Sequence, residues 1–309
     1  MSFSSVTPDA DNKMMRRLAA LLIALCTLLL IGGAVSSAGA VAVAGGPFER
    51  EVRAPAPRRA LPASVACVGS CWIPDLDTSW QWQLQGTIDT SVVVDMYDID
   101  LFETPMSTID ELHGDGSAVV CYLSAGSWEK WRPDADEFPA KVLGNKLDGW
   151  PGERWLDIRR LRVLRPIMNA RLDKCADKGF DGVEFDNVEA FKNHPGFPID
   201  GADQLRYNVY LANAAHARGL SAALKNDLSQ IPVLVDYYDY ALNEQCHQYR
   251  ECDRLDRFVD EGKAVFGVEY RLRPAEFCPQ ANAHDFNFLK KELALRALPR
   301  IDCRTWSAP

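Results

Sequence analysis

The stretch Gly179-Phe180-Asp181-Gly182-Val183-Glu184-Phe185-Asp186-Asn187 constrains this chain more than any other, and Tyr240-Ala241-Leu242-Asn243-Glu244 repeats its logic. Each reads as a short apolar strand that ends abruptly in carboxylates and amides. In a parallel α/β barrel the strands are buried on both faces, and chemistry collects where their C-terminal ends meet the βα loops. Acidic residues at those ends are candidate catalytic groups.

The same pattern continues along the chain. After Trp80, short apolar runs alternate with helix-length segments, as a parallel sheet requires. Candidate strands fall at 80–84, 91–96, 118–123, 154–158, 182–186, 221–225, 240–244 and 264–270, eight in all, the number that closes a (β/α)8 TIM barrel. Leu161, Leu164, Met168, Leu172 and Cys175 recur at the three- and four-residue intervals of one buried helical face. Gly179 stops that helix. Leu205, Val209 and Ala212 repeat the pattern before Gly219, and 274–299 is expected to supply the last helix and its capping turn.

The chain has 309 residues, and near its start Lys13, Arg16 and Arg17 precede an apolar run from Leu18 to Ile31 and a small-residue tract. That is the order of a secretory signal peptide, expected over 1–44, with an uncleaved membrane anchor as the alternative. Residues 45–75, rich in Pro, Ala and Arg, read as a linker and N-terminal segment, and 76–309 as one barrel domain. Of nine cysteines, Cys26 lies in the signal and leaves an even set, which in an exported chain points to disulfides. Spacing does not fix the pairing. Cys246 with Cys252 and Cys278 with Cys303 would each close a local loop, and Cys67 with Cys71 and Cys121 with Cys175 stay open as the remaining pairs.

Net charge is −9, and because 1–44 holds three basic residues against two acidic ones, the exported part stands near −10. Such a surface argues against nucleic acid and is compatible with a cationic substrate. Stable membrane association after signal cleavage is not expected, and a monomer is.

Glycoside hydrolysis needs two carboxyl groups, one to protonate the leaving oxygen and one to act as nucleophile or to activate water. Asp186 and Glu244, at the ends of two strands around one barrel mouth, fit that need. Glu184 shares a strand face with Asp186 one layer deeper, and Lys225 is the obvious cationic partner. Asp98, Tyr122, Ser124, Trp128, Asp157, Asn187, Asn243 and Glu269 fall at or near other strand ends as candidate substrate contacts, the aromatics among them as faces for sugar rings. Serine-hydrolase elbows, dinucleotide-binding glycine patterns and phosphate-binding loops do not occur. Neither a metal nor another cofactor is expected.

Trp80-Gln81-Trp82-Gln83-Leu84, Cys121-Tyr122-Leu123-Ser124-Ala125-Gly126-Ser127-Trp128-Glu129, Arg154-Trp155-Leu156-Asp157-Ile158, Asp181-Gly182-Val183-Glu184-Phe185-Asp186-Asn187, Leu224-Lys225-Asn226 and Asn243-Glu244-Gln245-Cys246 together resemble glycoside hydrolase family 114. The likeness runs from Trp80 to Arg271, with Phe185 where proline is more often expected. It implies a TIM barrel, endo-α-1,4-polygalactosaminidase activity, and Asp186 and Glu244 as the catalytic pair. It also implies a galactosamine-containing, cationic polysaccharide as substrate, whose ammonium groups Asp98, Asp157, Glu184 and Glu269 would hold by charge-assisted hydrogen bonds. The readings set against this are a catalytically silent carbohydrate-binding barrel at the cell surface and a hydrolase of a different α-glycan.

Overall fold

The computed structural model of the chain describes residues 60–307. The expected signal peptide and residues 45–59 of the expected linker lie outside them. In chain order the strands are β1 (Trp80–Gln83), β2 (Met96–Asp100), β3 (Ala118–Ser124), β4 (Ser127–Glu129), β5 (Leu143–Lys146), β6 (Glu153–Leu156), β7 (Gly182–Asp186), β8 (Ser221–Lys225), β9 (Tyr240–Glu244), β10 (Val265–Glu269), β11 (Asn287–Lys290) and β12 (Ile301–Asp302). Parallel pairing runs β1-β2-β3-β7-β8-β9-β10-β11, and β12 adds antiparallel to β11. These eight parallel strands curl into the (β/α)8 barrel.

Three strand expectations need correction. The second barrel strand is Met96–Asp100, not 91–96. The β-branched run Val92-Val93-Val94 precedes it in a loop pinned by the Tyr97 hydroxyl, which donates to the Asp89 and Val92 carbonyls at 2.9 Å and 2.5 Å. Residues 154–158 contribute no barrel strand, because β6 pairs antiparallel with β4 and β5 in a separate small sheet inserted after β3. The eighth barrel strand is β11, inside the segment read as helix and capping turn, where the helix covers only Pro274–Ala283.

Two packing layers follow from the period of two along each strand. Trp80, Trp82, Met96, Val120, Ala223, Tyr240, Leu242, Phe266, Val268 and Leu289 form one buried cluster, the filling of the barrel. Alternate residues such as Ile99, Val119, Cys121, Val183, Phe185, Leu224 and Ala241 join a second cluster with the surrounding helices. The helix Leu161–Asp177 gives it Leu164, Ile167, Met168, Leu172 and Cys175, and Gly179, at φ 88°, turns the chain toward β7. The helix Gly201–His216 begins with a reciprocal capping box between Asp200 and Asp203.

The phase that puts Trp82 and Ala223 inside also puts Asp98, Tyr122, Glu184, Asp186, Lys225 and Glu244 on the inner face. Among the described residues β1 and β11 share no backbone ladder. Side chains bridge that seam: Trp80 Nε1 donates to the Asn287 carbonyl at 2.9 Å, and Arg300 donates through Nε and Nη2 to the Trp80 carbonyl at 3.1 Å and 2.8 Å.

All four cysteine pairs are formed, Cys67–Cys71, Cys121–Cys175, Cys246–Cys252 and Cys278–Cys303. Residues 60–75 pack on the barrel. The Val65 N–H donates to Asn213 Oδ1 at 2.8 Å, Tyr237 Oη donates to the Pro62 carbonyl at 2.8 Å, and His216 Nδ1 meets the Val65 carbonyl at 2.8 Å. Among the described residues no helix is long and apolar enough to cross a membrane.

Candidate active site

One ammonium group organises the barrel mouth. Lys225, the last residue of β8, is only 2 % exposed. Its Nζ donates to Asp186 Oδ1 at 2.9 Å, stands 3.0 Å from Glu244 Oε2 and 3.4 Å from Glu184 Oε1, and lies 4.9 Å from the Trp82 ring centre. Asp186 Oδ2 accepts from the Tyr122 hydroxyl at 2.9 Å and from Asn187 Nδ2 at 3.2 Å. Glu244 Oε1 accepts from the Tyr270 hydroxyl at 2.5 Å, and its Oε2 from Asn226 Nδ2 at 3.4 Å. Burial alone would raise the pKa of Asp186, but Lys225, Tyr122 and the Asn187 N–H outweigh it and hold the carboxyl below its ordinary value. Burial likewise opposes the charge on Lys225, and the three carboxylates reverse that, lifting its pKa well above the lysine norm.

The backbone fixes these side chains. Asn187, Asn226 and Gln245, the residues that follow Asp186, Lys225 and Glu244, sit at φ 62°, 51° and 63°. Each strand therefore turns off the barrel immediately after its functional residue, in a left-handed conformation that asparagine tolerates better than most. Ala125 and Gly126, just beyond β3, donate their N–H groups to the Asp186 carbonyl at 3.0 Å and 3.1 Å. A Cβ on Gly126 would stand 1.7 Å from the Asn187 carbonyl oxygen, so only glycine permits this approach. Asn187 Nδ2 also donates to Ser124 Oγ at 3.0 Å, and Asn243 Nδ2 to Asn226 Oδ1 at 3.2 Å. Ser124 and Asn243 thus sit behind the site and orient its amides.

Of the residues expected at the mouth, Asp186, Glu244, Tyr122, Asn187 and Lys225 line one cavity of about 830 Å³. Glu184 and Asp98 lie beneath it, fully buried. Burial pushes both upward, Glu184 to about 7, and the neighbouring Glu184 raises Asp98 further. Asp157, Glu269 and Trp128 do not reach the cavity, which corrects their expected role. Asp157 is paired with Arg159 at 2.7 Å and Arg160 at 3.3 Å. Glu269 Oε1 accepts the backbone N–H groups of His247 and Gln248 at 2.8 Å and 3.2 Å. Trp128 turns outward and donates to the Ala135 carbonyl at 3.0 Å.

The inserted sheet supplies residues that sequence reasoning left out. Trp131 and Trp150, 48 % and 44 % exposed, line the cavity together with Trp155 and Glu153. The signal for the first two was present in the chain: a tryptophan flanked by Lys130 and Arg132, or by Gly149 and Pro151, is poorly suited to a core. The insertion is anchored by Arg171, which donates to Asp134 at 2.7 Å and 2.9 Å and to the Ser124 carbonyl at 2.7 Å.

Comparison with known proteins agrees with the geometry. A family model described as glycoside-hydrolase family GH114 matches residues 62–306. The chain is 41 % identical to Ega3 of Aspergillus fumigatus, whose crystal structure holds galactosamine, with a TM-score of 0.71 over 75 % of this chain and 97 % of that one. The glycoside hydrolase domain of PelA from Pseudomonas aeruginosa shares the fold, with a TM-score of 0.58 at 14 % identity over 72 % of this chain and 97 % of that one. An uncharacterized protein of Deinococcus radiodurans is 27 % identical over 291 residues, 81 % of this chain and 89 % of its own length. The family match takes in nearly every described residue and a barrel whose mouth gathers two carboxylates on one lysine, and this chain accordingly belongs to the glycoside hydrolases of family GH114.

Proposed function

We propose that this enzyme cleaves α-1,4-linked galactosamine polymer internally and outside the cell, with Asp186 as nucleophile and Glu244 as general acid/base. The observation that carries the reading is the shared contact of Lys225 Nζ with both carboxylates. At 2.9 Å and 3.0 Å from one nitrogen, their nearer oxygens stand at most about 5.9 Å apart. A nearest-oxygen distance within that bound is compatible with the separation of roughly 5–5.5 Å typical of retaining enzymes. In this scheme ionised Asp186 attacks the anomeric carbon while Glu244 passes its proton to the departing glycosidic oxygen. Glu244 then takes a proton from the water that cleaves the glycosyl ester. The Tyr270 and Asn226 hydrogen bonds aim Glu244, and those of Tyr122 and Asn187 aim Asp186.

Support for the substrate comes from the galactosamine complex of the 41 % identical Ega3 and from an acidic cavity wall that includes Glu103, Glu129, Asp148, Glu153 and Glu189. Four disulfides and the signal-like order of residues 13–44 support export. The test is turnover of galactosamine polymer by purified protein, followed through new reducing ends. Asp186→Asn and Glu244→Gln should each lower it by orders of magnitude while leaving the fold and polymer binding intact. Hydrolysis by either variant at the parent rate would remove the pair from this role.

A further inference from the structure

Glu129 and Glu153 face each other across the inserted sheet, directly opposite in the β4–β6 register. Like charges in that position repel. Both are buried, at 3 % and 8 % exposure, and both line the cavity that holds Asp186. Glu129 Oε1 meets Arg132 Nη2 at 2.8 Å, while its Oε2 is buried without a hydrogen-bond donor among the described residues. Glu153 Oε2 accepts from the Ser127 hydroxyl at 2.7 Å, with no lysine or arginine in contact among the described residues. Arg132, the guanidinium in contact with Glu129, is also bound to Asp100, at 2.6 Å and 2.9 Å. Of two buried acids on a cavity wall, one thus holds part of a cation and the other touches none, and such an imbalance is costly unless a ligand relieves it.

We propose that Glu129 and Glu153 form a specificity subsite for the primary ammonium of a galactosamine residue, selecting free-amine over N-acetylated polymer. The inference rests on the reading of the chain as a galactosamine-polymer hydrolase and gives the amine a defined place in it. Ser127, whose hydroxyl holds Glu153, also accepts from Asn187 Nδ2 at 3.3 Å, so the subsite is tied to the residue that orients Asp186. Trp131 and Trp155 line the same cavity and offer apolar faces for the sugar ring. In the unliganded site burial first, then Glu129 and Asp186, push Glu153 up to about 7 against the Ser127 hydrogen bond, and a docked ammonium would favour its ionised form. An N-acetyl group offers no charge and adds bulk at the same place. The acids named in sequence for this task, Asp157 and Glu269, are occupied elsewhere, and Asp98 and Glu184 lie below the cavity floor.

The experiment uses the full exported chain carrying Asp186→Asn to stop turnover, titrated calorimetrically with deacetylated and with N-acetylated galactosamine oligomers. Adding Glu153→Gln, or Glu129→Gln with Glu153→Gln, should weaken the deacetylated oligomer about tenfold or more, the worth of a charge-assisted hydrogen bond, and leave the acetylated one unchanged. Thermal unfolding of each variant checks that the inserted sheet remains folded, and Glu153→Gln alone, which spares the Arg132 pair, keeps the test decisive if the double variant unfolds. Equal binding of both oligomers by parent and variants, or equal loss for both, overturns the subsite. Selectivity that vanishes in chelator and returns with calcium would assign the carboxylates to a metal instead, and also overturns it. Absence of any binding or cleavage by the parent would be a failure of the proposed function, a separate result.

Discussion

Gly126→Ala is the sharpest probe of how the site is held. The new methyl carbon would stand 1.7 Å from the Asn187 carbonyl oxygen, whereas carbon–oxygen contacts settle at about 3.3 Å or more, a shortfall of about 1.6 Å. The atom in the way is backbone and cannot rotate aside. Asn187 must retreat, and the peptide it shares with Asp186 moves with it, loosening the hydrogen bonds from Ala125 and Gly126 to the Asp186 carbonyl. Overpacking of this kind costs about 1–3 kcal/mol, which for a domain of this size lowers Tm by roughly 2–12 °C. Misplacing a reacting group by about 1 Å costs on the order of a hundredfold in rate. Turnover of galactosamine polymer should therefore fall about a hundredfold in kcat, with a smaller change in KM. Gly114→Ala is the control, since a Cβ there meets nothing within 4 Å. If Gly126→Ala matches the parent in both kcat and Tm, the clamp between the β3 loop and Asn187 does not position Asp186, and the account of the site is wrong.

Lys225→Met removes the cation that overrides burial at Asp186. The carboxyl pKa then rises, and because the nucleophile must be ionised, the acid limb of the kcat/KM profile should move to higher pH. An unmoved limb would contradict the role of Lys225. His216 titrates above its ordinary value, since burial lowers it but Asp239 and the Val65 carbonyl outweigh that. Its stabilisation is complete below about pH 6.5 and is lost as pH rises through the raised folded value. Protection of residues 60–71, measured as exchange relative to its base-catalysed intrinsic rate, should therefore fall on the alkaline side in the parent, and His216→Gln should remove that fall. Replacing Cys121 and Cys175 by Ser opens a loop of sequence separation 54 and should cost about 4 kcal/mol in urea unfolding. The same change at Cys246 and Cys252, separation 6, should cost about 2 kcal/mol, and a reversed order would refute the loop-entropy account.

The reading of β7, β8 and β9 from sequence succeeded because each is a five-residue strand with apolar residues that ends on a charge, and that end is where function sits. β2 was misplaced for the converse reason. Met96-Tyr97-Asp98-Ile99-Asp100 looks too polar for a buried strand, while Val92-Val93-Val94 looks ideal, yet Val93 is 98 % exposed. Burial and the neighbouring Glu184 both raise the Asp98 pKa and so favour its uncharged form, a tertiary fact that periodicity does not carry. β6 passed for a barrel strand since a short apolar run does not reveal the direction of its partner. β11 was hidden by its length of four residues and by the lysine pair at its end, Lys290 and Lys291, of which Lys291 is fully buried, with Nζ donating to the Arg296 carbonyl at 2.7 Å. The central pair of acids was legible for the same reason as their strands. The opposed glutamates of the insertion were not, because their meeting depends on an antiparallel register between residues 24 apart in the chain.

The seam between β1 and β11 gives the barrel an order of assembly. Every other strand pair can zip as its partner emerges, but β1 waits for Asn287, Arg300 and the Cys278–Cys303 bridge, which follow the other barrel strands in the chain. Until then the sheet is open, with bare edges at both sides that can accept a strand from another copy. Damage at Arg300 would consequently surface as self-association during folding, in molecules whose finished active site is unaltered.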